Sequence, residues 1–285
     1  MKLKDSSRVI LDLNPYNISI FGEIGCYHYD SVQPLLAEHV HSGMLEFCFL
    51  LKGCQSYCVG GEYYHLSGGD IFFTKPDEPH GTGIFPEEKG GLLYWMIIKS
   101  PESVQEYLGL EKQEAMLLFE QLSSLPQRLF RSSPLVERLL KRIFELAFQN
   151  TPFTAIEIRS TIILLFLELI RLGNSSDGKE YSVSVCRIID YIDRHLKERI
   201  DLEYLADMMN LSLSRFKHRF KDEVGIPPAE FIMRRRIKYS ESLLMKNMSI
   251  KDIAYDLGFS SPAHFSSVFK QYKGESPAAF KEKML

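Results

Sequence analysis

Two segments near the end of the chain repeat one another. The first is Leu202–Phe231, LEYLADMMNLSLSRFKHRFKDEVGIPPAEF, and the second is Ile250–Phe280, IKDIAYDLGFSSPAHFSSVFKQYKGESPAAF. With one residue inserted at the turn, the coincident pairs are Ala206/Ala254, Phe216/Phe265, Phe220/Phe269, Lys221/Lys270, Gly225/Gly274, Pro228/Pro277 and Phe231/Phe280. A duplication that keeps small, aromatic and turn residues in register predicts two copies of one helical motif.

Each copy has the residue pattern of a helix-turn-helix unit. In the second copy Ser249 is a suitable N-cap, and Gly258 ends the helix because glycine adopts a left-handed conformation at little cost. Ser261 then caps a second helix, with Pro262 at its first position. The corresponding residues of the first copy are Asp201, Asn210 and Ser212. Two ordinary helical hairpins are the simpler alternative, but they leave the register of the repeat unexplained.

Residues 182–284 resemble the DNA-binding domain of the AraC/XylS family of bacterial transcription regulators. The resemblance is closest in SIKDIAYDLGFSSPAHFSSVFKQYKGESPAAFK. It implies sequence-specific binding to double-stranded promoter DNA, a small-molecule effector, RNA polymerase as a partner and a homodimer. It also implies that the chain is a regulator and not an enzyme.

The DNA-contacting side chains are expected on the second helix of each unit. Phe216 and Phe220 define the inward side of the first of these helices, so its polar side chains face outward. The outward residues are Ser214, Arg215, His218 and Lys221, with Lys217 on the flank. The resemblance assigns base reading to Ser214, Lys217, His218, Ala263, His264, Ser266 and Ser267. Lys221 and Lys270 are expected to contact phosphates or to pack at the helix ends.

The distribution of charge agrees with this assignment. The whole chain carries a net charge of −3. Residues 181–285 hold 18 Lys+Arg and 14 Asp+Glu, a net charge of +4, whereas residues 1–180 are acidic. The basic excess therefore lies with the repeat. The run Arg234–Arg236 lies between the two units, and we expect at least one of its arginines to contact phosphate or to brace the fold.

The rest of the chain predicts an α+β protein with two domains. Residues 18–100 contain short apolar runs separated by Gly and Pro, which favour an antiparallel β-barrel or jelly roll. Residues 102–172 change to helical periodicity. We assign residues 1–172 to an effector-binding and dimerisation domain, 173–182 to a linker, and 183–285 to an all-α domain with two helix-turn-helix units. The N-terminus lacks an apolar signal-peptide core, so we expect a cytoplasmic protein without membrane contact.

A cluster of histidines marks the predicted barrel. His39, His41 and Glu46 lie within EHVHSGMLEFCFLLKG, and His80 follows in KPDEPHG. Three imidazoles and one carboxylate suit a divalent transition metal. The pattern resembles the first motif of the cupin superfamily, whose metal-binding members use these four residues. The chain departs from that pattern at Gln33 and Glu78, each of which replaces a glycine, and His80 comes one residue early.

Two interpretations of the barrel therefore remain open. In the preferred one no cofactor is bound, the four residues diverge or contact their neighbours, and the barrel holds an organic effector such as a sugar. The effector-pocket residues are then drawn from His39, His41, Glu46, His80, Tyr64, Phe72 and Trp95. In the alternative, His39, His41, Glu46 and His80 bind a divalent metal, in a cupin-type enzyme or a metal-sensing regulator.

Dimerisation is expected to use helical stripes within residues 102–172. One stripe comprises Val136, Leu139, Leu140, Ile143 and Leu146, and another comprises Ile162, Ile163, Phe166 and Ile170. Alternatively, both stripes cover the barrel. Spacing alone does not separate a core face from a subunit interface.

Overall fold

The computed structural model describes residues 8–83, 90–149, 151–175 and 182–284. These residues form two compact units. The first unit comprises the described residues up to 30 and those from 35 to 175, and the second comprises residues 31–34 and 182–284. The first unit combines β-sheets and helices, and the second is helical, which confirms the predicted α+β class.

The described residues of the first unit form nine strands in two antiparallel sheets. The strands are β1 (Arg8–Ile10), β2 (Phe21–His28), β3 (Met44–Lys52), β4 (Cys54–Val59), β5 (Glu62–Ser67), β6 (Asp70–Thr74), β7 (His80–Gly81), β8 (Leu92–Lys99) and β9 (Leu129–Arg131). The larger sheet has the order β1-β2-β8-β3-β6-β9, and the smaller sheet has the order β5-β4-β7. Two short 3₁₀ helices, Asn14–Tyr16 and Pro101–Ser103, lie in the connections.

The larger sheet is buried on both faces because its strands alternate between two hydrophobic cores. In β3, Phe47 and Phe49 belong to the core on the helical side. Cys48 and Leu50 point to the opposite side, where Phe72 completes part of a second core with residues of the smaller sheet. This two-residue alternation places one aromatic-rich core between the sheets and the other beneath the helices. The arrangement is cupin-like, as the sequence predicts.

Three helices cover the outer face of the larger sheet: α1 (Lys112–Ser123), α2 (Pro134–Leu146) and α3 (Thr154–Gly173). The two predicted dimerisation stripes face inward. Val136, Leu140, Ile143, Leu146, Ile162 and Phe166 are fully buried in the helical-side core. Leu139, Ile163 and Ile170 pack against the same core. The prediction that these stripes form a subunit interface is therefore wrong for the buried residues, because the sheet already covers them.

Three further sequence expectations need correction or lie outside the described residues. Strand β1 precedes the predicted strand region, and β9 lies within the predicted helical region, where it pairs with β6. Gly173, the first residue of the predicted linker, is the last residue of α3. Residues 176–181 of that linker lie outside the described residues.

The second unit contains seven helices among its described residues. They are α4 (Val183–Arg194), α5 (Leu202–Met208), α6 (Leu213–Val224), α7 (Pro228–Met245), α8 (Ile250–Asp256), α9 (Pro262–Lys273) and α10 (Pro277–Met284). Helix α7 joins the two repeat copies. Its 18 residues span roughly 27 Å at 1.5 Å per residue. Two recognition helices that enter the major groove on one face of a DNA duplex lie one helical turn apart, roughly 34 Å. The length of α7 is close to that spacing.

Candidate DNA-binding surface and ligand sites

The first repeat copy folds as a helix-turn-helix unit. The Asp201 side chain accepts a hydrogen bond from the Glu203 backbone N–H at the start of α5. Asn210 adopts a positive φ of 52° in the turn. The Ser212 hydroxyl then accepts a hydrogen bond from the Arg215 backbone N–H at the start of α6. These caps satisfy backbone donors that have no partner within a helix. Helix α6 is therefore fixed at its first turn.

The second copy repeats this geometry. Ser249 accepts a hydrogen bond from the Asp252 backbone N–H, and Ser261 accepts one from the His264 backbone N–H. The backbone N–H of Phe259 donates to the Ala254 carbonyl at 2.9 Å, and the N–H of Leu211 donates to the Ala206 carbonyl at 3.1 Å. Leu211 is only half-buried, so it fills its turn less completely than Phe259 does.

Paired phenylalanines attach the second helix of each unit to its core. Phe216 and Phe220 are fully buried in α6, as are Phe265 and Phe269 in α9. Each helix ends at a glycine, Gly225 or Gly274, with φ of 90° and 78°. Two buried residues one turn apart leave the opposite face of the helix open to solvent. The duplicated sequence thus produces two helices that present equivalent faces.

The predicted DNA-contacting residues lie on these two helices. Nine of the ten are exposed: Ser214, Arg215, Lys217, His218, Lys221, Ala263, His264, Ser267 and Lys270. Ser266 is half-buried. On α9, the Ser260 hydroxyl and His264 Nδ1 share a hydrogen bond of 3.0 Å, which orients the imidazole ring at the start of the helix. The outward face of α6 is the more cationic, since Arg215 and Lys217 align with His264 and Ser266 of α9, whereas Lys221 has Lys270 as its counterpart.

A shallow cavity of about 430 Å³ adjoins the outward face of α6. Four predicted DNA-contacting residues line it: Ser214, Lys217, His218 and Lys221. The other lining residues, Leu202, Pro227, Pro228 and Ala229, are not among the predicted site residues. They come from the starts of α5 and α7, and no motif in the sequence singles them out.

The arginine run on α7 braces the second unit. The Arg236 Nε and Nη2 donate hydrogen bonds to the backbone carbonyls of Leu196 and Glu198, at 3.0 and 2.7 Å. Arg234 pairs with Glu230 on the same helix at 2.7 Å. Arg235 pairs with Asp193 at 3.3 Å. The expectation that at least one of these arginines supports the fold is confirmed.

In the first unit, His39, His41, Glu46 and His80 converge. One potential ligand atom from each side chain lies within 4.8 Å of the other three. His39 and His80 face each other across an antiparallel bridge, with backbone hydrogen bonds of 2.9 and 3.0 Å. Glu46 lies in β3 and reaches the same point. The four side chains therefore do not diverge, but His80 hydrogen-bonds Glu46 at 2.8 Å, which the expectation of a site without metal also includes. What the cluster binds stays a prediction.

Glu46 is the electrostatic centre of this cluster. Its Oε2 lies 2.8 Å from His80 Nε2 and 3.5 Å from His41 Nε2. Burial alone would raise the pKa of Glu46, but the two imidazoles outweigh burial and lower the pKa to about 2. Burial opposes the charge on His80, yet its contacts with Glu46 and with the Glu78 carbonyl raise the pKa of His80. The cluster therefore holds a carboxylate beside a basic imidazole.

The aromatic residues predicted for an effector pocket lie between the two sheets. Phe72 and Trp95 are 1% and 7% exposed and belong to the second hydrophobic core. Phe72 stacks on Tyr57, with ring centroids 4.8 Å apart. Tyr64 is half-buried at the edge of this core, beneath the Arg128 guanidinium. Their role in ligand binding stays a prediction.

A separate cavity of about 220 Å³ lies at one end of the larger sheet beside α2. Its lining residues are His28, Lys52, Leu92, Tyr94, Lys141, Phe144 and Glu145. The Tyr94 and Phe144 rings meet edge to face at 5.0 Å and form an apolar wall. The polar lining residues come from the ends of β2 and β3 and from α2, and they share no motif, so no sequence signal identifies them.

A β-rich unit in the same chain as a helical unit with two helix-turn-helix motifs is the architecture of a DNA-binding transcription regulator with a ligand-binding domain. Family models agree: residues 18–166 match the AraC-like ligand binding domain, and residues 205–283 match a helix-turn-helix domain. The chain belongs to the AraC family of transcription regulators. This assignment confirms the predicted regulator over the predicted alternative of an enzyme.

Similar proteins include two transcriptional activators named RhaS. The activator of Enterobacter sp. (strain 638) is 26% identical over 254 residues, which cover 88% of this chain and 89% of the relative. That of Salmonella arizonae is 25% identical over 249 residues, which cover 86% and 87% of the two chains.

Two solved structures are also similar. The DNA-binding domain of AdpA, crystallised with a target DNA, is 28% identical, with a TM-score of 0.34 and coverage of 36% of this chain and 93% of its own. ToxT of Vibrio cholerae is 16% identical, with a TM-score of 0.35 and coverage of 92% and 98%. Within the described residues of this chain, no helix combines the length and apolar character needed to cross a membrane.

Proposed function

We propose that this protein binds specific promoter sequences through α6 and α9 and that a small molecule bound by its first unit controls this binding. The observation that carries the proposal is the structural repeat: two capped helices, each anchored by two buried phenylalanines, present outward faces at equivalent positions. Lys217 is suited to donate to guanine O6 and N7, and His264 and Ser267 can pair with any base edge. We assign phosphate contacts to Lys221 and Lys270.

The test is a selection from random duplexes with the full chain, followed by competition at physiological salt. We expect the selected sequences to bind at least about 1000-fold more tightly than random DNA. A fragment of residues 182–285 should keep most of that preference. Equal affinity for selected and random duplexes would overturn the proposal, because purely electrostatic binding does not distinguish sequences.

A cavity of about the size of a sugar, lined by both aromatic and charged side chains, supports the proposal that the first unit binds a small molecule. The 220 Å³ space beside α2 combines two aromatic rings with a histidine, two lysines and a carboxylate. Such a lining suits a polar small molecule, for which a sugar is the simplest choice. Thermal-shift screening of monosaccharides should identify a ligand that raises the unfolding temperature. The substitution Lys52→Ala should abolish that shift, whereas Lys75→Ala, outside the cavity, should preserve it.

We also propose that the protein acts as a homodimer through α3 and, as an activator, contacts RNA polymerase. Ile156, Leu164 and Leu167 are 56%, 55% and 52% exposed. They lie within about 80° of arc at 100° per residue, on a face that the sheet leaves uncovered. Apolar helix faces of this kind pair readily with a second copy. The proposed cytoplasmic location follows from this role.

Sedimentation of the full chain tests the dimer. Leu164→Glu should shift the chain to monomer, whereas Val183→Glu, at an exposed apolar residue of α4, should not. A wild-type chain that sediments as a monomer at micromolar concentration would overturn the dimer and leave the DNA-binding proposal standing. In vitro transcription from a promoter that contains the selected sequence tests activation.

A further inference from the structure

Two connections hold the helix-turn-helix units together. The first is α7, which packs on α6 near its start, where the Phe231 and Phe220 ring centroids are 5.4 Å apart. Further along α7, Ile237 and Leu244 are buried in one hydrophobic core with residues of α8 and α9. The second connection is non-covalent and starts from residues 195–201, the loop between α4 and α5.

We propose that this second connection fixes the separation and angle between α6 and α9. The protein then recognises DNA in which the two sub-sites lie a set number of base pairs apart. This inference rests on the proposed DNA binding by α6 and α9, and it adds residues outside both helices that determine which DNA is bound.

Arg236, near the midpoint of α7, is the centre of the second connection. Its Nε donates to the Leu196 carbonyl at 3.0 Å, and its Nη2 donates to the Glu198 carbonyl at 2.7 Å. The guanidinium is half-buried, and this burial lowers the pKa of Arg236. Removing a cation from water is unfavourable, and the two hydrogen bonds offset that cost. Because the two donors belong to one rigid plane, they hold the loop at two points.

The same guanidinium faces the turn of the second helix-turn-helix unit. A Cβ built on Gly258 would lie 3.5 Å from Nη1 and Nη2 of Arg236, which is ordinary van der Waals contact. Gly258 lies between α8 and α9. The loop that precedes α5 and the turn that precedes α9 therefore meet at one side chain of α7.

An ion pair beside Arg236 extends this connection to α8. The Lys197 Nζ donates to Asp256 Oδ2 at 2.9 Å. Lys197 lies in the loop that Arg236 holds, and Asp256 is the last residue of α8. The two side chains are 51% and 41% exposed, so solvent weakens the pair. We therefore assign the larger share of the connection to Arg236, as a positioning residue that acts through α6 and α9.

A fixed separation matters because the two DNA sub-sites lie on a helix. One inserted base pair moves a sub-site by roughly 3.4 Å and rotates it by roughly 35° about the duplex axis. Recognition helices joined by α7 alone can follow part of that change, since long helices bend. Recognition helices held by a second connection cannot. Discrimination between spacer lengths is therefore the property that the connection supplies.

The DNA test compares binding of the full chain to a selected duplex and to the same duplex with one base pair inserted between the sub-sites. The wild type should lose about tenfold in affinity on the longer duplex, roughly the worth of one good base contact. Arg236→Lys keeps the charge but replaces two donor nitrogens with one, so its loss should fall below about threefold. Arg199→Lys, at an exposed arginine of the same loop, is the matched control and should discriminate as the wild type does.

A charge exchange provides a second test that leaves the half-buried arginine intact. Lys197→Glu places two carboxylates together and should reduce the discrimination between spacers. The double variant Lys197→Glu with Asp256→Lys restores the ion pair and should recover it. Failure of the double variant to recover any discrimination would show that the Lys197–Asp256 pair has no part in the connection. Far-UV circular dichroism of each variant confirms that it is folded.

The separation of α6 and α9 is also measured without DNA, by double electron–electron resonance between spin labels at Ser214 and Ser267. The labels are attached through unnatural amino acids, so the native cysteines are left unchanged. The wild type should give one narrow distance distribution, and Arg236→Lys a broader one.

Two results would overturn the proposal: a distribution that stays equally narrow in folded Arg236→Lys, or equal spacer discrimination by Arg236→Lys and Arg199→Lys. If the wild type selects no duplex at all, the proposed function fails instead. The distance measurement still decides in that case whether the second connection holds the two helices.

Discussion

Asn210 and Gly258 occupy the same position in the two helix-turn-helix units, and both adopt a left-handed backbone, with φ of 52° and 72°. Each lies two residues after the last residue of a short helix, α5 or α8. Each is followed by a residue whose N–H donates back to an alanine carbonyl of that helix. The left-handed backbone conformation therefore defines the turn. The two copies use asparagine and glycine there, the residue types that adopt this conformation most readily.

The first prediction follows from this equivalence. A Cβ added at Gly258 would have its nearest neighbour, Arg236, at 3.5 Å, so space is available and only the positive φ opposes a side chain. Gly258→Ala should lower the free energy of unfolding by about 1 kcal/mol. Asn210→Gly should change it by less than about 0.5 kcal/mol. Urea denaturation of residues 182–285, followed by far-UV circular dichroism, measures both; equal losses would contradict the turn assignment.

The second prediction separates base reading from phosphate contact on α6. Lys217→Ala should reduce discrimination at one operator position by about 1–3 kcal/mol, because a guanine contact is lost. Lys221→Ala should weaken binding to all sequences alike and reduce the slope of affinity against salt by about 1. Competition with single-base variants of a selected duplex, at several salt concentrations, checks both. If Lys217→Ala weakened every sequence equally, its assignment as a base reader would be wrong.

The third prediction concerns pH and the ion pair between Glu78 and Arg128. Two hydrogen bonds, of 2.6 and 2.8 Å, join the guanidinium to the carboxylate. The hydrogen bonds from Arg128 lower the pKa of Glu78 below its usual value of 4.5, and they outweigh partial burial. A lowered folded-state pKa means that this stabilisation is present above about pH 4.5 and is lost as the pH falls through the folded-state value.

Glu78→Gln should therefore cost about 1 kcal/mol at pH 7 and progressively less below pH 4. Glu62→Gln, at an exposed residue of β5, is the control and should have little effect at either pH. Urea unfolding of the full chain, followed by Trp95 fluorescence, reports on the first unit alone because the chain has one Trp. A penalty for Glu78→Gln that does not change between pH 7 and pH 3 would refute the ion-pair explanation.

The sequence predicts the second unit more completely than the first, because the residues that determine where its helices begin and end lie close to those ends in the chain. Ser212, Gly258 and Ser261 determine helix ends within a few residues of themselves, and the repeat doubles each signal. The three residues of β9 form a strand only because β6 pairs with them, so no local pattern reveals it. The Val136–Leu146 stripe shows that one face of α2 is apolar, but the spacing does not say whether a sheet or a second subunit covers it.

The cluster of His39, His41, Glu46 and His80 illustrates the same distinction. Its motif departs from the cupin pattern at Glu78 and in the position of His80, and these departures favour the expectation that the four side chains bind no metal and instead diverge or contact their neighbours. Backbone pairing in the antiparallel bridge between His39 and His80 nevertheless brings the two rings to 4.4 Å, so they do not diverge. The Glu78 side chain, at a position where the cupin pattern has glycine, forms an ion pair with Arg128. A spacing rule cannot include such tertiary contacts, so the convergence emerges only in the folded unit.

The last prediction uses the contact between Gly25 and Trp95 on paired strands β2 and β8. These residues are register partners, and a Cβ built at Gly25 would lie 2.3 Å from the indole ring. The indole N–H also donates to Glu23 at 2.7 Å, so the ring cannot move without breaking a hydrogen bond. Gly25→Ala should therefore cost about 1–3 kcal/mol by overpacking and shift the Trp95 emission maximum. Gly43→Ala, where a Cβ meets open space but φ is 65°, should lower stability without changing the emission. An unchanged Trp95 spectrum in Gly25→Ala would show that the ring is not held against this glycine.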